Sequence, residues 1–110
     1  MATVNKTAAM AALRNAKRRF RVHNAFAMPA PYWVKQGIST YAYDQRGFGR
    51  SPDLSLWAGN DVMRRDLGDF VDVMRARFPG VPVYVLGESM GGAVTMSAFA
   101  ADKPPRADGM

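Results

Sequence analysis

The feature that most constrains this chain is the stretch Val81 to Gly92, in which an unbroken apolar run, Val81 to Leu86, enters Gly87-Glu88-Ser89-Met90-Gly91-Gly92. A second apolar stretch follows, to about Ala101. A short apolar run bounded by turn residues reads as a strand covered on both faces. The residues after Gly92 are small, apolar and of low polarity on every side, so they predict a helix lying against a sheet. Strand, abrupt glycine-flanked turn and helix leave few architectures open.

The rest of the chain supplies the partners for that unit. Ile38 to Tyr43 is β-branched and aromatic and ends at Asp44, a second strand reading. Gln45 to Gly59 is loop, punctuated by Gly47, Gly49, Pro52 and Gly59. From Asn60 to Phe78 the residues Met63, Leu67, Phe70, Val71, Met74 and Phe78 recur at helical spacing, with Arg64, Arg65, Asp69, Asp72 and Arg75 on the opposite face. Asn60 or Asp61 is positioned to cap that helix, and Pro79-Gly80 ends it. A short helix is expected from about Pro31 to Gln36, a marginal one over residues 7–20, and loop from Asp102 to Met110. Strands alternating with helices predict an α/β fold with parallel strands and flanking helices. That fold places Asp44 and Gly87 on one edge of the sheet, where such sheets carry their chemistry.

Gly87-Glu88-Ser89-Met90-Gly91 has the form of a G-x-S-x-G nucleophile elbow. The turn presents the serine at its apex, free of backbone crowding. Glycines are expected two residues to either side, Gly87 and Gly91, because side chains there would strike the neighbouring strand or helix. Ser89 is then the candidate nucleophile, and the backbone N–H of Met90 the candidate donor to the oxyanion of a tetrahedral intermediate. Other glycine motifs fail: there is no Gly-Lys-Ser/Thr phosphate loop and no G-x-G-x-x-G after a strand.

Two motifs carry a family resemblance. Leu86-Gly87-Glu88-Ser89-Met90-Gly91-Gly92-Ala93 resembles the elbow of the monoacylglycerol lipase and lysophospholipase-like α/β-hydrolases, of serine aminopeptidase S33 type. Tyr43-Asp44-Gln45-Arg46-Gly47-Phe48-Gly49-Arg50-Ser51 is similar to that family's D-x-R-G-x-G-x-S loop. The likeness runs from about Asn24 to the C-terminus. It implies a partial α/β-hydrolase fold built around the elbow and a serine hydrolase acting on carboxylic esters, with a small ester or lipid as substrate. It also implies structural roles for Asp44, Arg46, Gly47 and Gly49, which shape the floor of the site. In this family the triad acid and base follow the serine. Here Asp102 and Asp108 follow Ser89 but no histidine does, so the expectation is of an enzyme incomplete in this chain, a partial reading of a longer gene. His23, the only histidine, precedes the nucleophile; it reads as a loop residue, or as the base of a rearranged triad. The rival expectation is an inactive fragment that associates through exposed sheet edges.

Composition trims the remaining options. The absence of cysteine removes disulfides and thiolate chemistry, and a single histidine argues against a structural zinc site, so no metal or cofactor is expected. The net charge of +6 arises because residues 1–22 hold six basic and no acidic residues, while the remainder carries nine of each sign. Residues 1–23 are therefore expected to be a basic, poorly ordered extension and 24–110 the hydrolase domain. Nucleic-acid binding is not expected of that domain. No apolar run approaches the length of a membrane span, and no secretory signal is recognisable, which makes the cytoplasm the default expectation.

Overall fold

The computed structural model describes residues 29–49 and 55–110. The marginal helix over 7–20, the basic extension, His23 and the Arg50-Ser51 end of the second motif lie outside the described residues. Three helices are present among those described: α1 (Pro29–Lys35), α2 (Asn60–Arg77) and α3 (Met90–Phe99). None is long and apolar enough to cross a membrane.

The helix predicted over 60–78 forms with its expected apolar stripe inward. Met63, Leu67, Phe70, Val71 and Met74 are buried, and Val94 and Ala98 of α3 complete the core. A fully buried side chain of this kind contributes roughly 1.5–3 kcal/mol. The cap is a correction: Gly59, at φ 92°, holds the N-cap position, and neither Asn60 nor Asp61 makes a capping hydrogen bond. Tyr41 and Tyr43 lie over the other part of the stripe. Their rings stack against Phe78 at 5.3 Å and Phe70 at 4.5 Å between centroids.

The strand predictions need revision. Residues 38–45 and 81–88 hold neither helix nor a hydrogen-bonded ladder, so the described residues contain no strand, only one isolated parallel bridge between Tyr84 and Gly109. The reading of 81–86 as covered on both faces is overturned. Val83 and Val85 pack on the core, whereas Val81, Tyr84 and Leu86 are 53%, 72% and 64% exposed. The reason is coverage: Val83 and Val85 pack on the core of α2 and α3, whereas Tyr84 meets only the Gly109 segment and stays exposed, as does Leu86.

The loop expected over 102–110 forms, and it carries the other half of that isolated bridge. The Val85 N–H donates to the Gly109 carbonyl at 3.0 Å and the Asp108 N–H to the Val83 carbonyl at 2.7 Å, a short parallel pairing. Side chains hold it. The Asp108 carboxylate accepts the Val83 N–H at 2.7 Å and Arg75 Nη2 at 2.9 Å, and Arg106 reaches Asp72 at 2.9 Å. Arg75 Nε also donates to the Arg106 carbonyl.

The Val83 N–H, then Arg75, hold the Asp108 carboxyl below its ordinary value. A depressed folded-state value stabilises the fold above the unfolded-state pKa of about 3.9, and that contribution is lost as pH falls through the folded value. Asp108→Asn is therefore expected to lower the urea midpoint at pH 7 and to converge with the parent chain below about pH 4. A constant difference from pH 7 to pH 3 would refute the linkage.

Candidate active site

The elbow is built where the apolar run meets α3. Ser89 sits at the apex with φ 54° and ψ −120°, a left-handed backbone that a residue with a Cβ rarely adopts. Such conformations cost on the order of 1–3 kcal/mol and persist only where the surroundings impose them. The Gly91 N–H donates to the Glu88 carbonyl at 2.9 Å and the Ala93 N–H to the Ser89 carbonyl at 3.1 Å. The Met90 N–H, between them, has no backbone acceptor among the described residues. It is thus a free donor at the start of a helix, where the peptide dipoles favour negative charge.

Close approach explains one elbow glycine and not the other. A Cβ on Gly87 would overlap the Gly91 carbonyl and lie 2.6 Å from Thr95 Oγ1. Thr95 is itself buried and donates its hydroxyl to the Gly91 carbonyl at 2.8 Å, which fixes that oxygen beneath Gly87. A Cβ on Gly91 meets nothing within 4 Å, so the expected collision there is absent among the described residues. Gly92 is tighter, with its Cβ position 3.3 Å from the Gly87 carbonyl. Because Gly91 is helical and unobstructed, Gly91→Ala is expected to raise stability by about 0.5–1 kcal/mol. A lowered thermal midpoint for that variant would show an obstruction here.

The second motif forms a loop fastened at two points. Arg46, 7% exposed, places Nε 2.9 Å and Nη2 3.1 Å from the two carboxylate oxygens of Asp66, which is 2% exposed on α2. Gly49, at φ 57°, lies against the Asp44 carboxylate, with Oδ1 2.7 Å from where a Cβ would stand. The Arg46–Asp66 pair ties this loop to α2, and the approach of Gly49 to Asp44 closes it on itself. Burial pushes the Tyr43 hydroxyl up to about 12, opposed by its hydrogen bond with Gln45 and reinforced by the charge of Asp66. It stays a neutral phenol at any ordinary pH. Asp66 was missed in the sequence, although it interrupts the apolar stripe between Met63 and Phe70, a placement that signals a buried, paired carboxylate.

Among the described residues no histidine or carboxylate is hydrogen-bonded to Ser89. Asp108 is committed to Val83 and Arg75, and Asp102 is exposed at the end of α3. No group of three or more metal-ligating side chains occurs among the described residues.

Comparison with known proteins now bears on this geometry. Residues 18–110 match the family described as serine aminopeptidase, S33. The chain belongs to that family. Membership implies an α/β-hydrolase fold, of which the described residues show helices and no strand. The chain is 38% identical to human monoglyceride lipase over 74 residues, covering 66% of this chain and 24% of that protein. It is 38% identical to the monoacylglycerol lipase of Mycolicibacterium smegmatis over 68 residues, and 37% identical over 75 residues to the monoglyceride lipase homolog of monkeypox virus. The chain spans about a quarter of the length of these relatives. No solved structure matches with comparable significance.

Proposed function

We propose that the chain is the nucleophile-bearing part of a serine hydrolase of carboxylic esters, with a monoacylglycerol or lysophospholipid as the substrate class. The observation that carries this reading is the backbone of Ser89: a strained serine where the apolar run 81–86 turns into α3, with the Met90 N–H free beside it. In the reaction, Ser89 Oγ attacks the ester carbonyl and gives its proton to a base. The carbonyl oxygen becomes an oxyanion that accepts the Met90 N–H. Collapse expels the alcohol, protonated by the base, and leaves an acyl-serine that water then hydrolyses. The alkoxide needs that base, and no histidine follows Ser89 in this sequence. Ester turnover is therefore assigned to Ser89 acting with a base, and no histidine is among the described residues.

A fluorophosphonate probe tests the assignment. In a version extended to the length of the relatives, Ser89 is expected to be modified and Ser89→Ala to abolish the modification. The 110-residue chain is expected to react far more slowly. An extended, folded version whose Ser89 stays unmodified would remove the proposal.

The exposure of Val81, Tyr84 and Leu86 favours a second reading, a catalytically silent chain that associates with other copies through this apolar segment. Light scattering over a concentration series separates the two: oligomers without turnover from an extended version support association alone.

A further inference from the structure

A cleft of about 160 Å³ opens between α2 and α3, and its lining does not include Ser89. Met63, Met90, Ala93 and Val94 give it an apolar floor, and Trp57 forms one wall. Arg64 of α2 and Ser97 of α3 also belong to the lining, and Arg64 donates from Nε to Ser97 Oγ at 2.6 Å. No carboxylate lines the cleft. Asp61, 88% exposed, touches Arg64 Nη1 only at 3.4 Å, and such solvent-exposed pairs are weak enough to be displaced.

An apolar slot with one cation in its lining selects for a molecule with a hydrocarbon tail and a single negative head. At roughly 30 Å³ for a water-sized group, the cleft takes about five carbon-sized groups. We propose that it binds a short-chain alkyl carboxylate, with the tail on Met63, Met90 and Val94 and the head on the Arg64 guanidinium. The lining shares Met90 with the elbow but not Ser89, and the proposal needs no ester turnover at Ser89.

The test is a titration of the full chain, labelled with ¹³C at its methionine methyls, with sodium hexanoate. Acetate, the head without the tail, and hexylammonium, the tail with the opposite charge, are the companions. Saturable shifts of the Met63 and Met90 methyls with hexanoate are expected in the millimolar range, with both companions about tenfold weaker or worse. Met63 is decisive because it is buried in the cleft floor and does not belong to the elbow. Arg64→Met is expected to weaken hexanoate about tenfold while sparing hexylammonium, and Ala93→Phe to abolish both by filling the slot. An unmoved Met63 methyl overturns the proposal. So does equal binding of hexanoate and hexylammonium, which needs no variant to fold, and so does an unchanged hexanoate affinity in a folded Arg64→Met.

Discussion

Asp66→Ala is expected to lower stability by about 3–5 kcal/mol, a large share of what a domain of this size commonly has. The loss comes less from the missing attraction than from what is left behind. Arg46 is 7% exposed, and the two hydrogen bonds from its Nε and Nη2 to the Asp66 carboxylate, which offset the guanidinium's desolvation, are lost. Arg46→Ala is expected to cost a similar amount for the mirrored reason. The pair Arg46→Met with Asp66→Leu, which removes both charges and keeps volume, is expected to recover most of the stability. Urea denaturation followed by helical circular dichroism reads all three. If Asp66→Ala shifts the midpoint no more than an exposed substitution such as Asp61→Ala, the buried pair does not hold the loop to α2.

Gly87→Ala has the second large effect, and it acts on the site directly. The added methyl has no space, because one obstacle is the Gly91 carbonyl, a backbone atom that moves only if α3 moves. Overpacking of this kind costs about 1–3 kcal/mol. The greater consequence is geometric: pushing α3 outward carries Ser89 and the Met90 N–H with it, and about 1 Å of misplacement is enough to cost on the order of 100-fold in reactivity. In an extended hydrolase, Gly87→Ala is expected to reduce fluorophosphonate labelling of Ser89 by about that factor, while Gly91→Ala leaves it nearly unchanged. Adding Thr95→Ala to Gly87→Ala removes the Oγ1 contact but not the carbonyl, so it is expected to restore little. Full recovery in that double variant would place the limiting contact on Thr95 instead.

The helices were legible because their signal is internal to them. The stripe from Met63 to Phe78 specifies which face of α2 turns inward, whatever covers it. The apolar run 81–86 was less legible for the complementary reason: hydrophobicity records which residues can be buried, not whether a second layer is present to bury them. Val83 and Val85 have that layer in α2 and α3, and Tyr84 and Leu86 do not. The pairing of 107–109 was hidden by Asp108, whose carboxylate reads as a loop residue yet takes the Val83 N–H from the neighbouring segment. The elbow could be read as a motif, but the unequal demands on Gly87 and Gly91 could not. They depend on where the Gly91 carbonyl and Thr95 hydroxyl come to rest. Asp66 lay within reach of the sequence, since a lone acid on an apolar stripe asks for a buried partner, but only the fold identifies that partner as Arg46.

Helix α2 touches every other part of the site's support. Phe70 and Phe78 hold the tyrosines, Asp66 holds the loop, Met63, Leu67 and Val71 hold α3, and Arg75 and Asp72 hold the C-terminal segment. A hub of this kind makes these segments one thermodynamic unit with a common fate. Amide hydrogens in the middle of α2 should exchange only when everything opens, and the elbow can be no longer-lived than that helix. Persistence of the strained serine is thus governed some distance away, by a helix that performs no chemistry.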